Sequence, residues 1–240
     1  MSSLLAFSFS PYRLSGTVCG TLLNHAVALA ALGDAVNHAP YKAPPQAPVL
    51  YLKPRNTLAA PGAAVCVPQE FGELEICASL GLVIGRTACR VSEAQALAHV
   101  AGYVIVADLS VPHSSFYRPS IRFKARDGSC LVGPQVVPCD AVPEPDALGL
   151  QVTVDGRVLQ RTSTGGMRRS AARLLADVTE FMTLRSGDVL MLGVPAGAPR
   201  ARAGQHFAIR LEGLGELEGS LVAEGVSEGA TEAITEERAA

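Results

Sequence analysis

The sequence predicts a mixed, mainly β fold with few helices, and three observations favour it. Hydrophobic residues make up 48% of the 240 residues and aromatic residues only 5%, so the apolar mass is Val, Leu, Ala and Ile, which suits packed sheets. Several short runs are apolar throughout or alternate with period two, without a regular strand–helix alternation. We see no repeat and no linker. This predicts one domain over residues 1–222, with 1–60 as its N-terminal helix and strand portion, and an acidic mobile tail over 223–240.

The first half of the chain supplies one helix and the strongest strands. Residues 22–36 are rich in Ala and place apolar residues at helical spacing, which predicts a helix. A proline-rich loop and two short strands follow. The segments "ICASLGLVIGR" and "GYVIVADLS" predict two buried strands. Between them, Ser92 as N-cap predicts a helix over residues 92–99.

The second half is rich in turn signals. Asp127–Gly128 predicts a turn, and "LGLQVTVDGRVLQ" predicts a hairpin around Asp155–Gly156, because apolar and polar residues alternate on both sides. A helix is expected over residues 170–183. The segments "GDVLMLGVPAG" and "FAIRLEGLGELEGSLV" predict the closing strands.

Charge and cysteine content exclude several classes of protein. A net charge of −2 provides no field to attract nucleic acid, and no apolar run is long enough to span a bilayer. The N-terminus has no basic segment ahead of its apolar residues, so no secretory signal is predicted. The six cysteines form no CxxC pair, which predicts buried free thiols. These features predict a soluble, cytoplasmic protein without nucleic-acid or membrane partners.

Three polar residues stand out against apolar surroundings. Asp108 ends a predicted buried strand, where it could be a site carboxylate or a loop cap. Lys124 lies among charged neighbours, so a solvated face is its default interpretation. His25 lies within an apolar helical pattern, where a satisfied core or rim histidine is the default. No P-loop, dinucleotide fingerprint or hydrolytic triad is visible in the spacing.

Two further carboxylates, Glu73 and Glu75, precede the strand "ICASLGLVIGR". Residues two apart in a strand point to the same side, as a pair of ligands for a hard divalent cation would. They are therefore either metal ligands or an acidic lead-in to the strand.

Taken together, these segments resemble the fumarylacetoacetate hydrolase family from about Gly16 to Val222. The resemblance is carried by "APVLYLKP", "LGLVIGR" with "VAGYVIVADLS", "FKARDGSCLVGP", "VTVDGRVLQRTSTGGM", "LRSGDVLMLGVPAG" and "LEGLGELEGSLV". "PYKAPPQAPVLYLKPRNTL" and "SFYRPSIRFKARDG" look most like one branch, the N-terminal half or subunit of the bifunctional decarboxylase/isomerases of 4-hydroxyphenylacetate catabolism. The resemblance implies a fumarylacetoacetate hydrolase-like β-sandwich roll with peripheral strands.

The resemblance also implies the chemistry and the site. The expected reaction is decarboxylation of 5-oxopent-3-ene-1,2,5-tricarboxylate and isomerisation of the product, with Mg²⁺ or Mn²⁺ in the assembled enzyme. Asp108 matches the family's third metal ligand. Because Asp108 and Lys124 are retained, our hypothesis is that they are the catalytic residues, with Lys124 binding a substrate carboxylate and Asp108 moving a proton. The expected substrate-binding residues are Arg118, Asp127, Gln160, Thr164, Gly193 and Pro195.

The chain departs from the family pattern at the metal. Counting back from Gly85 places the two family glutamate positions on Cys77 and Ser79, and a thiol with a hydroxyl suits magnesium poorly. Glu73 and Glu75 each lie four residues, or about 13 Å, too early. Other family positions are also altered: its arginine is Pro112, its turn threonine is Val194, and its histidine–glutamate lid pair is reduced to His25 with Ala28.

Three hypotheses follow. The first is an N-terminal subunit that works with a homologous C-terminal-type subunit in an oligomer on a small 2-oxo di- or tricarboxylate, with a degenerate metal site of its own or a metal-poor share of the reaction. The second is a self-sufficient metal-dependent acylpyruvate hydrolase or 2-oxo acid decarboxylase that uses Glu73, Glu75 and Asp108. The third is a non-catalytic structural partner.

Overall fold

The computed structural model describes residues 16–117 and 121–225, which form two sheets and a few short helices. The strands are β1 Val18–Leu22, β2 Val49–Lys53, β3 Leu58–Ala59, β4 Ala64–Val67, β5 Leu74–Ile84, β6 Val100–Ser110, β7 Cys130–Pro138, β8 Gly149–Val154, β9 Arg157–Ser163, β10 Val189–Met191, β11 Arg200–Ala201, β12 His206–Leu211 and β13 Gly215–Ala223. The helices are α1 Ala26–Ala30, α2 Glu93–Ala96, α3 Ile121–Lys124 and α4 Ala171–Thr179. Short 3₁₀ turns occupy Gly33–Asn37, Arg55–Thr57, Leu97–His99, Cys139–Ala141 and Thr164–Gly166.

The larger sheet is a roll. Its 8 strands run in the order β2-β1-β10-β5-β6-β7-β3, with β11 pairing beside β5. Its first and last strands, β2 and β3, are joined by a single 3₁₀ turn at Arg55–Thr57. Two edges joined by so short a link must lie close together, so the sheet curls upon itself. The second sheet has 5 strands in the order β4-β13-β12-β8-β9 and covers one side of the roll.

The two faces of β5 and β6 have different surroundings because side chains alternate along a strand. Residues such as Leu80 and Ile105 point into the main core between the two sheets. Residues such as Val83, Val104 and Val106 point into the interior of the roll, which has its own apolar cluster. The site described below lies at one end of that interior.

Most of the predicted elements are confirmed. The protein is mainly β, and both buried strands are present as β5 and β6, paired antiparallel. The hairpin of β8 and β9 turns at Asp155 and Gly156, whose φ angles of 48° and 75° fit the turn that this dipeptide favours. The predicted turn at Asp127–Gly128 is also present, and the helix predicted over 92–99 is α2 followed by a 3₁₀ turn.

The long helix predicted over residues 22–36 is wrong. Leu22 ends strand β1, and Leu23 takes a positive φ of 58°, which no helix allows. Only α1, five residues long, is helical before Gly33 reverses the chain at a φ of 52°. The Ala-rich pattern raises helix propensity, but tertiary contacts of Asn24 with the Leu192 and Arg169 carbonyls override it at the start.

Helix α4 also ends earlier than predicted, at Thr179 rather than at residue 183. The helix begins as expected, since the Ser170 side chain accepts a hydrogen bond from the Arg173 backbone N–H. Within the described ranges, no helix is both long and apolar enough to cross a membrane.

The cysteine prediction is only partly right, and the tail prediction stays mostly untested. Cys19, Cys77 and Cys130 are buried free thiols, but Cys66 and Cys89 are exposed. Cys66 is exposed because it alternates with buried neighbours on β4. Ala223, expected in the tail, belongs to β13, while residues 226–240 lie outside the described part of the chain.

Candidate active site

A buried carboxylate, Asp108, is the centre of the candidate site. It lies on β6 with its side chain facing the interior of the roll and no solvent exposure. Its Oδ1 atom accepts a hydrogen bond from Lys53 Nζ at 2.8 Å, and its Oδ2 atom accepts one from Lys124 Nζ at 3.0 Å. Oδ2 also accepts a hydrogen bond from the Tyr51 hydroxyl. Asp108 is therefore a charged hydrogen-bond acceptor for three donors.

The two lysines reach Asp108 from different elements, β2 and α3, and bond to different oxygens of its carboxylate. Lys53 ends β2 and crosses the roll, where it also donates to the Lys124 carbonyl and to Ser129 Oγ. Lys124 ends the one-turn helix α3 and donates to Ser110 Oγ at 2.8 Å, with its ammonium 4.6 Å from the centre of the Tyr51 ring. The curl of the sheet is what brings these distant segments together.

Asp108 and the two lysines stabilise each other's charged forms. Burial by itself raises the pKa of Asp108, but the Lys124 and Lys53 ammonium groups outweigh it and hold that pKa far below its usual range. Burial by itself lowers the pKa of Lys124, and the Asp108 carboxylate reverses this to a net rise. The pKa of Tyr51 is raised well above its usual value by burial and by Asp108. At neutral pH the cluster holds two positive charges and one negative charge, which leaves one net positive charge.

A cavity of about 410 Å³ adjoins this cluster. Lys124 and Cys77 form part of its inner wall, and Glu75 and Arg200 also line it. The remaining lining residues are mostly apolar and come from the end of β1 and the residue after it, from α1 and its C-cap, from the loop after β6 and from the loop before β11: Thr21, Leu22, Leu23, Ala28, Ala31, His113, Phe116, Val194, Pro195, Ala196, Gly197 and Ala198. An apolar pocket with a few charged groups is the usual form of a site for a small organic anion.

The two β5 residues that the register count assigns to the family glutamates, Cys77 and Ser79, do not supply carboxylates for a metal. Cys77 pairs directly with Asp108 across the two strands, in agreement with the register count. Burial raises the pKa of the Cys77 thiol to about 12, so it is protonated at neutral pH. Ser79 Oγ donates to the Gly193 carbonyl at 2.9 Å and accepts from the Gly193 N–H at 3.2 Å. Both positions that the register count assigns to the family glutamates therefore hold neutral groups.

A divalent cation does not fit beside Asp108 in this arrangement. A carboxylate has about four acceptor positions, and three of them are taken by N–H and O–H donors. A divalent ion within about 4 Å of a single ammonium group would meet a repulsion on the order of 8 kcal/mol at an effective dielectric constant of about 20. No cluster of three His, Cys, Asp or Glu side chains suited to a metal occurs in residues 16–117 and 121–225.

Glu73 and Glu75 form ion pairs instead of a metal site. Arg200 donates to Glu73 at 2.9 Å and to Glu75 at 3.5 Å, and Arg202 lies 3.8 Å from Glu73. Glu75 pairs with Ser110 on β6, one two-residue step away from Asp108. The hypothesis of a triad formed by Glu73, Glu75 and Asp108 is therefore contradicted by the structure, and the acidic lead-in is an ion-paired rim of the cavity.

Some of the predicted site residues do lie at the cavity. Lys124 lines it and is buried, so the default interpretation of a solvated face is wrong. Pro195 lines it directly, and Gly193 holds the preceding backbone against Ser79. Gln160 donates to the Ala196 and Gly197 carbonyls at 2.9 and 3.1 Å, so it positions the lining loop from outside.

Other predicted site residues are not brought to the cavity. Asp127 is exposed and accepts a hydrogen bond from Asn56 at 2.5 Å. The Thr164 hydroxyl donates a hydrogen bond to the Pro145 carbonyl and accepts one from the Leu148 N–H. These two bonds stabilise the turn after β9. Neither Asp127 nor Thr164 lines the cavity, so their substrate-binding role stays a prediction, and Arg118 lies outside the described residues. His25 is a satisfied buried residue, as expected, and its Nδ1 caps α1.

Four residues of the site were not singled out from the sequence. Tyr51 and Lys53 alternate with the exposed Leu52, and that period-two pattern was a usable signal for a buried lysine. His113 and Arg200 also line the cavity, but their segments gave no periodic signal. His113 Nδ1 lies 2.9 Å from the Val111 carbonyl, so Nδ1 carries the proton and Nε2 is left as the acceptor in the neutral ring.

Comparisons with known proteins agree with the fold and the sequence pattern. The family model described as fumarylacetoacetate (FAA) hydrolase C-terminal matches residues 17–222. The chain is 37% identical over 212 residues to the 4-hydroxyphenylacetate degradation bifunctional isomerase/decarboxylase of Escherichia coli, covering 88% of this chain and 48% of that protein. The chain thus spans about half the length of these curated relatives.

Solved structures resemble it over most of its length. The 5-carboxymethyl-2-hydroxymuconate delta-isomerase of Mycobacterium smegmatis superposes with a TM-score of 0.74 at 28% identity, covering 89% of this chain and 81% of that chain. The fumarylpyruvate hydrolase of Pseudomonas aeruginosa, solved in complex with Mn²⁺ and pyruvate, gives a TM-score of 0.74 at 26% identity, covering 87% of this chain and 90% of that chain. Its relatives thus include isomerases, decarboxylases and hydrolases that act on small organic acids.

Proposed function

This chain belongs to the fumarylacetoacetate hydrolase family, and on that premise we propose that it is the N-terminal-type catalytic half of a decarboxylase/isomerase of 4-hydroxyphenylacetate catabolism. The observation that carries the proposal is the buried Lys124 ammonium on the wall of a mostly apolar cavity, fixed by Asp108. The identity to the Escherichia coli bifunctional enzyme supports the choice of reaction. The half-length match supports a second, homologous half as partner.

The proposed substrate is 5-oxopent-3-ene-1,2,5-tricarboxylate. The bond between C2 and its carboxylate breaks, CO₂ leaves, and the electron pair moves through the C3–C4 double bond onto the oxygen of the 5-oxo group. Protonation of that oxygen gives 2-hydroxyhepta-2,4-dienedioate. Moving the hydroxyl proton away while a proton is added to C5 of this product gives 2-oxohept-3-enedioate. Both steps develop negative charge on the oxo oxygen, which a nearby cation stabilises.

Lys124 is the group that meets this requirement in the chain. Its ammonium remains charged at neutral pH because its pKa is raised, so it acts by hydrogen bonding and charge and not as an amine nucleophile. Arg200 lines the same cavity, and another carboxylate of the substrate would share its guanidinium with Glu73 and Glu75. Six carbon–carbon bonds of about 1.5 Å each span roughly 8 Å, so a seven-carbon diacid is long enough to place its two carboxylates at separate points of the cavity.

His113 is the better candidate for proton transfer. Asp108 has a depressed pKa, and both of its oxygens are held by buried donors, so the arrangement favours a charge-fixing role over the proton transfer expected from the sequence. Imidazole exchanges protons readily near neutral pH, and His113 lines the cavity. We assign the proton addition at C5 to this residue. Metal chemistry in the assembled enzyme belongs, in this proposal, to the partner half.

The test is made on this chain co-expressed with a homologous half. Lys124→Gln is expected to lower kcat/KM for the tricarboxylate by about 10²–10³-fold, the usual cost of removing one donor to a developing oxyanion. Lys42→Gln, an exposed lysine outside the cavity, serves as the matched control and is expected to leave the rate unchanged. His113→Asn is expected to slow solvent deuterium incorporation at C5 by about 10²-fold or more while decarboxylation continues.

Unchanged kinetics in Lys124→Gln and His113→Asn would refute the catalytic role and favour a non-catalytic structural partner. Hydrolysis of an acylpyruvate by the chain alone, with no decarboxylation, would favour the hydrolase alternative instead.

A further inference from the structure

Lys53 is fully buried and bonds to Asp108 from inside the protein. Its ammonium is not exposed to solvent, and its three N–H groups donate hydrogen bonds to Asp108, the Lys124 carbonyl and Ser129 Oγ. It does not line the cavity, so it is available neither to substrate nor to solvent. Lys53 therefore acts as a fixed internal positive charge behind Asp108.

Lys124 has a different balance of donors. Two of its N–H groups go to Asp108 and Ser110 Oγ. Within the described residues the third N–H has no hydrogen-bond acceptor, and the side chain lines the cavity. The three-residue cluster carries one net positive charge, because Lys53 and Lys124 together outweigh Asp108, and it reaches the cavity through the Lys124 side chain, beside Glu75.

We propose that Lys53, Asp108 and Lys124 form a built-in cationic site that takes the place of a divalent metal in this chain and binds the oxo and carboxylate oxygens of 2-oxo acids through Lys124. The neutral Cys77 and Ser79 at the family glutamate positions fit this arrangement, since carboxylates there would cancel the positive charge. The proposal rests on the proposed function only for the class of ligand.

The experiment measures pyruvate binding to the purified full chain by saturation-transfer NMR, with a chelator and then with added Mn²⁺. Binding in the presence of chelator is expected, and Mn²⁺ is expected to change the dissociation constant less than about twofold. Lys124→Gln is expected to weaken binding at least tenfold, and Lys42→Gln to leave it unchanged. Lys53→Met, which removes a charge without touching the cavity wall, is expected to weaken binding several-fold.

Three outcomes would overturn the inference: no binding of pyruvate under chelator, binding that appears only with Mn²⁺, or wild-type affinity in Lys124→Gln. If a lysine variant does not fold, the first two outcomes can still be tested on the wild-type chain. The two proposals fail separately. Chelator-resistant binding without turnover of the tricarboxylate by the assembled enzyme would remove the proposed function alone, and turnover with metal-dependent binding would remove this inference alone.

Discussion

Replacing the buried carboxylate at position 108 gives the sharpest test of how the site is held together. Asp108→Asn keeps the shape of the side chain but removes the charge that Lys53 and Lys124 share. Asp108 and Lys53 have 0% side-chain exposure and Lys124 has 6%, so water cannot replace the lost partner. Removing one partner of a buried ion pair costs about 3–5 kcal/mol, because the remaining charge is left uncompensated.

The same substitution changes the pH dependence of stability. In the wild type the pKa of Lys124 is raised, so its stabilisation is present below about pH 10, the unfolded value, and is lost as pH rises through the folded value. Without Asp108, burial is opposed only by the more weakly acting Cys77 and Glu75, and it is expected to lower the pKa of Lys124 below the unfolded value. The variant therefore gains stability as pH rises. The difference in unfolding free energy between the two proteins is expected to shrink between pH 7 and pH 10.

Urea denaturation followed by circular dichroism measures both effects, and thermal melting provides a second measure. A loss of about 3–5 kcal/mol corresponds to a fall in Tm of roughly 6–20 °C for a chain of this size. Asp127→Asn is the matched control, since Asp127 is exposed, and it is expected to cost less than about 1 kcal/mol. A loss at position 108 no larger than the control, or one that does not change with pH, would refute the account of the charge cluster.

Three further predictions concern the strands and loop around the cavity. Under native conditions at pH 8, a thiol reagent is expected to modify the exposed Cys66 and Cys89 quickly and the buried Cys77 slowly. Peptide mapping measures the labelling, and rapid labelling of Cys77 would contradict its burial and its raised pKa. Ser79→Ala leaves the buried Gly193 N–H unpaired and is expected to cost about 1–3 kcal/mol in urea denaturation; an unchanged midpoint would mean that this bond does not hold the loop. Gln160→Ala removes two hydrogen bonds to the cavity loop and is expected to raise KM with a stability loss of only about 1 kcal/mol, whereas kinetics identical to the wild type would show that the loop needs no such support.

The strands and their turns were predictable because their signals are local. The apolar runs of β5 and β6 and the Asp155–Gly156 turn each depend on a few neighbouring residues, and the structure has them where the sequence places them. The helix expected over residues 22–36 failed because Asn24 bonds to segments about 145 and 168 residues away. Propensity along the chain contains no information about such partners.

The site was predictable in part for the same reason. Asp108 and Lys124 could be identified by resemblance, and the register count identified Cys77 as the residue at the glutamate position. The role of Lys53 depends on the curl of the sheet, which brings β2 across the roll to β6. From the sequence alone, a lysine in a strand is expected to lie on the surface. Its contact with Asp108, and therefore the net charge of the cluster, could be determined only from the structure.

A crystal structure of the chain grown with oxalate and Mn²⁺ tests the central claim most directly. The account predicts oxalate in the cavity with an oxygen within hydrogen-bond distance of Lys124 Nζ, and the contacts of Lys53 and Lys124 with Asp108 unchanged. Manganese bound to Asp108 with the lysines displaced, or oxalate bound away from Lys124, would contradict it.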